Sequence, residues 1–169
     1  MLGADRMVAF PASPSSEMAK DAGTPPIGPS YQLEAGRAMD WAVEQAGAAA
    51  KVKAGIVYQH DDYGKDGLAG WRSQAELHRV EIVSEQTVAP GQTDMTAVIT
   101  ALKNARATHV LLTTIPSATG PIVGTAAQLE YEPIWIGNTP AWIDGFFRPD
   151  VIPPSVFDRF YWVTGLPYW

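Results

Sequence analysis

The fold is decided by residues 51–71, which read KVKAGIVYQHDDYGKDGLAGW. The first part, Val52–Gln59, is a short apolar run with several β-branched residues. Such runs are typical of strands that are buried on both faces of a parallel sheet. His60–Gly64 has the composition of a turn, and Lys65–His78 is predicted to form a helix. A buried strand that leads through a short turn into a helix indicates an α/β fold.

The same alternation extends in both directions from this stretch. Upstream, Ser30 is predicted to cap a helix over Tyr31–Ala49, with Glu34 near the positive end of the helix dipole. Further strands are predicted at Met7–Phe10, Val80–Val88, His109–Thr113, Ile134–Gly137 and Phe157–Val163. Further helices are predicted from Thr93 or Asp94 to Asn104, from Ser117 to Leu129 and from Thr139 to Phe147. This order predicts a doubly wound parallel sheet flanked by helices, with right-handed crossovers.

Composition excludes several classes of function. The 169 residues include 12 basic and 18 acidic side chains, for a net charge of −6, and they contain no basic run. A nucleic-acid partner is therefore not expected. The absence of cysteine excludes disulfides, thiolate metal sites and cysteine nucleophiles. No apolar run approaches the roughly 20 residues of a membrane span, and the first ten residues lack the pattern of a signal peptide.

Three glycines at regular spacing, Gly64, Gly67 and Gly70, invite comparison with dinucleotide-binding loops. Their spacing is G-x-x-G-x-x-G rather than G-x-G-x-x-G, and no acidic residue follows a second strand where it would hold a ribose. The sequence contains neither a phosphate loop nor the G-x-S-x-G turn of α/β hydrolases. No nucleotide or other cofactor is expected.

The cluster His60-Asp61-Asp62 has two interpretations. It is either a metal site or acid–base pair, or a polar turn whose aspartate side chains bond backbone amides and start a helix. Adjacent residues rarely converge on one ion, and no second ligand cluster lies at a suitable spacing. We therefore favour the polar turn and expect no metal ion.

Ligands of open α/β sheets bind beyond the carboxyl ends of the strands. This rule selects four loops: His60–Gly64, Thr114–Ser117, Gly137–Thr139 and Gly165–Pro167. They offer hydroxyls, an amide and a phenol, but no pair of nucleophile and base. The sequence therefore predicts binding rather than catalysis. For Trp142, Trp162 and Trp169, in the proline-rich end, a place in the core is favoured over a place in a cleft.

The opening stretch and a second one, VAPGQTDMTAVITALKNARATHVLLTT at Val88–Thr114, resemble the type I periplasmic binding proteins. The similarity is greatest to the leucine/isoleucine/valine-binding branch, the solute receptors of ABC importers. It rests on a buried strand that ends in D-D-Y-G, a G-x-T-D helix start and a P-x-W-I-G strand at Pro133–Gly137. The resemblance covers about Ser30–Tyr168.

The resemblance implies how the chain is organised. Family members have two α/β lobes joined by a three-stranded hinge, with the solute between them. Residues 1–30 would then be a remnant of the first lobe and a crossover, 31–165 the second lobe, and 166–169 the return crossover. The implied partners are a small-molecule solute and an ABC permease, and the implied location is periplasmic or extracytoplasmic. Cut hinge crossings would expose apolar surface around Phe157–Trp169 and favour self-association.

The resemblance also implies solute contacts. Tyr63 matches the family tyrosine that reaches the solute, and a second aromatic position falls on Ile115 or Pro116. The family acid that holds an amino group falls on or near Thr139, and a hydroxyl does not offset an ammonium as a carboxylate does. A simple α-amino acid is therefore not the expected solute. The predicted contacts are Tyr63, Ser117, Asn138 and Thr139, with Asp62 behind them.

Two other functions remain open at this point. One is the effector-binding domain of a transcription regulator of the same fold, which predicts a helix-turn-helix upstream. The other is an enzyme of doubly wound fold, which predicts activity in this chain alone.

Overall fold

The computed structural model describes residues 7–12, 15–148 and 153–165, with the backbone alone at position 147. Five strands form one sheet in the order β2-β1-β3-β4-β5, and every neighbouring pair is parallel. The strands are β1 Lys53–Gln59, β2 Glu81–Val88, β3 His109–Thr113, β4 Ile134–Gly137 and β5 Phe160–Trp162. The helices are α1 Tyr31–Ala46, α2 Asp62–His78, α3 Thr96–Asn104 and α4 Pro116–Gln128. The predicted doubly wound α/β fold is confirmed.

The sheet is buried on both faces, because successive side chains of its central strands alternate between two cores. Ile56 of β1 and Leu111 of β3 pack with α1 and α2, where Trp71 and Met39 are fully buried. Val57 and Leu112 pack on the other face with α3 and α4. This burial explains why the central strands read as continuous apolar runs in the sequence.

Helix α1 begins where the sequence predicts and ends three residues earlier than predicted. The Ser30 hydroxyl accepts a hydrogen bond from the Leu33 amide at 3.3 Å. Gly47 then takes a left-handed conformation with φ of +72°, which ends the helix at Ala46. Residues Ala49–Lys51 form a separate 3₁₀ turn.

Helix α2 begins at Asp62, three residues before its predicted start. The Asp61 side chain accepts a hydrogen bond from the Gly64 amide at 2.9 Å and caps the helix. This contact supports the polar-turn interpretation of the His60-Asp61-Asp62 cluster. It also brings Tyr63 into the first turn of the helix.

The three regularly spaced glycines of α2 are packing residues. A Cβ at Gly64 would lie 2.0 Å from the Gln59 carbonyl oxygen, one at Gly67 2.1 Å from a Thr113 methyl, and one at Gly70 2.0 Å from the Gln32 carbonyl oxygen. One face of α2 therefore approaches β1, β3 and α1 more closely than any larger residue allows.

Helices α3 and α4 correct two predicted caps. Asp94 accepts a hydrogen bond from the Thr96 amide at 2.9 Å, but Met95 occupies the cap position of α3. Helix α4 starts at Pro116 after Ile115, so the predicted cap Ser117 lies inside its first turn. Proline suits the first helical position because its missing N–H is not needed there.

The last part of the chain is less regular than predicted. The predicted helix from Thr139 to Phe147 is two 3₁₀ turns, Thr139–Ala141 and Asp144–Phe147, separated by extended backbone at Trp142. Residues Pro154–Phe157 form another 3₁₀ turn, which shortens the predicted final strand to β5. Aromatic packing accounts for the difference, because Trp142 contacts Phe146, Phe157 and Phe160 with ring centroids 5.3–5.4 Å apart.

Two further expectations concern the ends of the chain. Met7–Phe10 forms no strand, although the Ala9 amide donates to the Gly23 carbonyl at 2.8 Å. Phe157 and Phe160 pack against the core, and Tyr161 is the large apolar residue of the 153–165 segment that is exposed, at 43%. Residues 166–169 lie outside the described part of the chain. Among the described helices, none combines the length and apolar character that a membrane crossing requires.

Candidate functional site

The carboxyl ends of β1 and β4 bring two predicted site residues into contact. Tyr63 lies in the first turn of α2, after β1, and Asn138 follows β4 directly. The Tyr63 hydroxyl donates to Asn138 Oδ1 at 2.8 Å and lies 3.3 Å from the Thr114 carbonyl oxygen. The parallel sheet thus brings together polar groups 75 residues apart in sequence.

The Tyr63 ring is enclosed by the protein. It packs edge-on against Tyr31, with ring centroids 4.6 Å apart. Burial raises the pKa of Tyr63 well above its usual range, and the negative charges of Glu34 and Asp61 add to the effect. The phenol therefore stays protonated and acts as a hydrogen-bond donor at neutral pH.

Asn138 lies beneath the surface of this edge. Its exposure is 0%, and within the described residues its Nδ2 atom has no hydrogen-bond partner. The side chain therefore accepts the Tyr63 hydroxyl, and its two amide protons have no acceptor among the described residues.

Glu34 is a site residue that is not among the predicted ones. Its Oε2 accepts the Thr139 amide at 2.9 Å, and its Oε1 accepts the Thr139 hydroxyl at 2.5 Å. The side chain is only 3% exposed, and burial raises its pKa, an effect that hydrogen bonds from Thr139 and Gly165 partly offset. A signal was present, because Glu34 falls on the apolar stripe of α1 with Tyr31 and Ala38. A charged residue on a buried stripe indicates a specific partner.

Thr139 and Glu34 line a small pocket of about 70 Å³ together with Tyr31 and Pro140. The segment that precedes α1 also lines the pocket, including Gly28 and Pro29. The pocket is the size of a single functional group, so it fits one end of a molecule rather than a whole solute.

Gln59 is a second residue of this region that is not among the predicted ones. Its Oε1 accepts the Ile115 amide at 2.8 Å, and its Nε2 donates to Asp61 Oδ2 at 2.8 Å. It therefore joins the loop after β3 to the capped start of α2. Ile115, where the resemblance places a second aromatic residue, is 42% exposed.

Two predicted residues lie apart from this hydrogen-bonded cluster. Ser117 is exposed in the first turn of α4, and Asp62 is exposed in the first turn of α2. Asp61, next to Asp62, is the carboxylate that bonds to Gln59 and to the Gly64 amide. The structure therefore brings together Tyr63 and Asn138, and separately Thr139 and Glu34.

The family model described as "Periplasmic binding protein" matches residues 2–167. The chain belongs to the periplasmic binding protein family. A comparison with curated protein sequences gives no match.

Solved structures share the fold of this periplasmic binding protein. A fatty acid ABC transporter substrate-binding protein from Thermomonospora curvata superposes with a TM-score of 0.84 at 20% identity, over 95% of this chain and 41% of that one. A branched chain amino acid ABC transporter from Thermus thermophilus with bound valine superposes with a TM-score of 0.81 at 19% identity, over 95% of this chain and 41% of that one. A solute binding protein from R. palustris in complex with 4-hydroxybenzoate superposes with a TM-score of 0.70 at 17% identity, over 90% of this chain and 40% of that one. The chain spans less than half the length of each of these proteins.

An aromatic pocket adjoins the site of this family member. Trp142, Phe146, Phe157, Phe160 and Trp162 line it with Pro154 and Asp158, and its volume is about 400 Å³. Trp162 Nε1 donates to the Thr139 carbonyl at 3.2 Å, which connects the pocket to the end of β4. Trp142 thus packs in an aromatic cluster and Trp162 lines the same pocket, whereas Trp169 lies outside the described residues.

The chemistry of the site is that of hydrogen bonding. It supplies a phenol, an amide, a hydroxyl and a buried carboxylate, without a nucleophile activated by a base. Within the described residues, no group of three or more histidine, aspartate or glutamate side chains has the geometry to hold a metal ion.

Proposed function

We propose that this chain is a solute-binding lobe of an ABC importer receptor, in which a small molecule binds between two lobes and favours the closed state. In this proposal, residues 31–165 form the second lobe, 1–30 the end of the first lobe with a crossover, and 166–169 the return crossover. The receptor works outside the cytoplasmic membrane and delivers solute to an ABC permease. The family match and the similarity in fold to ABC transporter substrate-binding proteins support this assignment.

The observation that carries the proposal is the convergence of Tyr63, Asn138 and Thr139 at one edge of the parallel sheet. Open α/β sheets bind ligands at this edge. The proposed solute contacts are Tyr63, Ser117, Asn138 and Thr139. Asn138 also accepts the Tyr63 hydroxyl, and Asp62 lies exposed beside Tyr63 in the first turn of α2.

The proposed solute lacks an α-ammonium group. Thr139 stands where the family acid falls, and the neighbouring carboxylate of Glu34 already accepts two hydrogen bonds from Thr139. The Thr139 hydroxyl does not offset the charge of an ammonium as a carboxylate at this position would. Amides, and aliphatic or aromatic acids without an amine, fit the remaining groups.

The test uses the complete receptor that contains this chain and a panel of solutes. The panel pairs benzamide with benzoate and isovaleramide with isovalerate, and it includes leucine as the amino-acid comparison. We expect calorimetry to detect binding by members without an amine, and Tyr63→Phe to weaken it about tenfold, the value of one lost hydrogen bond in a buried site.

The matched control is Tyr131→Phe. The Tyr131 hydroxyl donates to the Ala107 carbonyl at 2.8 Å, near the opposite edge of the sheet. This variant loses a comparable bond without touching the site, so solute affinity is expected to stay unchanged. Unchanged affinity in Tyr63→Phe would contradict the site assignment, and no binding by any member of the panel would contradict the proposed function.

A further inference from the structure

Glu34 has an unusual set of partners for a residue in the first turn of a helix. It reaches from α1 to Thr139, which is 105 residues away in sequence, and accepts both the backbone N–H and the side-chain O–H of that residue. Among the residues of the small pocket, Thr139 supplies the aliphatic hydroxyl and Tyr31 a phenol. The direction of the Thr139 hydrogen bond therefore decides whether a solute meets a donor or an acceptor at Thr139 Oγ1.

The Thr139 hydroxyl has one proton and two candidate acceptors. Glu34 Oε1 lies 2.5 Å from Thr139 Oγ1, and Thr164 Oγ1 lies at 3.3 Å. A hydrogen bond to a carboxylate is shorter and about twice as strong as one between neutral groups. The proton therefore points to Glu34, and only lone pairs of Thr139 Oγ1 remain for other partners.

We propose that Glu34 is a specificity-determining residue, which fixes the Thr139 hydroxyl as a hydrogen-bond acceptor and so selects solutes that present an N–H or O–H group to it. The proposal rests on the proposed function, because it concerns the solute of that same site. Glu34 acts through Thr139 and is a positioning residue in this sense. A carboxylate or ester oxygen placed against Thr139 Oγ1 meets lone pairs and is disfavoured.

Replacing Glu34 by glutamine reverses the direction of the hydrogen bond at Thr139 Oγ1 without changing the shape of the side chain. The amide oxygen of the glutamine still accepts the Thr139 N–H. Its NH₂ group then faces Thr139 Oγ1 and donates to it, which releases the hydroxyl proton toward the solute. Glu34→Gln is therefore expected to admit solutes that present only acceptors.

The experiment measures the affinity ratio within each amide and carboxylate pair, again with the complete receptor and calorimetry. We expect the wild type to prefer benzamide over benzoate about tenfold, the value of one hydrogen bond, and Glu34→Gln to bring the ratio close to one. Glu44→Gln, at an exposed position of the same helix, is the matched control and keeps the wild-type ratio.

A double-mutant cycle with Thr139→Val separates this role from a structural one. Valine keeps the shape and the backbone N–H but lacks the hydroxyl, so Glu34→Gln is expected to leave the ratio unchanged in that background. If the contact between Glu34 and Thr139 were purely structural, its loss would weaken the binding of both solutes of a pair equally. The affinity ratio would then stay unchanged in every background. If Glu34→Gln does not fold, Glu34→Asp serves instead, with a shortened carboxylate and an intermediate ratio.

Failure of the role proposed for Glu34 can be distinguished from failure of the proposed function. Absence of binding by the whole panel contradicts that function. Binding without a preference for the amide, or a preference that survives Glu34→Gln, overturns the role of Glu34 alone. An equal effect of Glu34→Gln with and without the Thr139 hydroxyl overturns it as well.

Discussion

Among the Asp, Glu, His, Lys and Arg side chains in the described part of the chain, Glu34 and His109 are the two that are buried. Burial disfavours the charged form of each, so it raises the pKa of Glu34 and lowers the pKa of His109. The consequences for stability are opposite in direction. Glu34 makes the fold less stable as pH rises through its raised pKa, whereas His109 makes it less stable as pH falls below 6.5, its ordinary pKa.

His109 allows this linkage to be tested away from the site. Its Nδ1 lies 2.9 Å from Thr108 Oγ1 and its Nε2 3.3 Å from Gln45 Oε1. We expect the free energy of unfolding of the wild type to fall relative to His109→Gln as pH drops from 7 to 5, because glutamine does not take up a proton. Urea denaturation at several pH values measures the difference. His60→Gln, at an exposed turn, is the control, and parallel curves for wild type and His109→Gln would contradict the argument.

At the scale of elements, helix α2 is held by its glycine face. Gly64, Gly67 and Gly70 recur every three residues, and an added Cβ at each would collide with β1, β3 or α1. The pattern that suggested a nucleotide loop is therefore explained by close packing of the helix that presents Tyr63. The position of Tyr63 depends on this packing, since it lies in the turn that contains Gly64.

Gly70 and Gly124 form a matched pair for testing this packing. A Cβ at Gly70 would lie 2.0 Å from the Gln32 carbonyl oxygen, whereas one at Gly124 in α4 has nothing within 4 Å. We expect Gly70→Ala to lower the free energy of unfolding by about 1–3 kcal/mol, as overpacking does. Gly124→Ala is expected to raise it by about 0.5–1 kcal/mol through helix propensity. Chemical denaturation measures both, and effects of the same sign would contradict the role given to the glycine face.

For the whole molecule, local sequence patterns were enough to predict the sheet. They did not predict the contacts between residues far apart in the sequence. Strand β1 and the turn before Tyr63 each consist of consecutive residues, so strand and helix periodicity was enough to predict them. The bond between Glu34 and Thr139 joins residues 105 apart, and helix-dipole reasoning had already given Glu34 a sufficient role. Trp142 and its aromatic neighbours overrode the helix start signal at Thr139 and Pro140 in the same way, through packing that no local window contains.

In the proposed receptor the solute site is shared between two lobes, and this predicts how the chain behaves alone. Small-molecule sites bury about 70–90% of a ligand's surface, whereas the small pocket beside Thr139 has about 70 Å³ for a solute. A Kd of 1 μM corresponds to a binding free energy of about −8.2 kcal/mol. If this lobe supplies half of that free energy, the Kd is about 1 mM. We therefore expect the 169-residue chain to bind members of the solute panel no more tightly than about 1 mM. Calorimetry on this chain beside the complete receptor makes the comparison, and micromolar binding by the chain alone would contradict a site shared between two lobes.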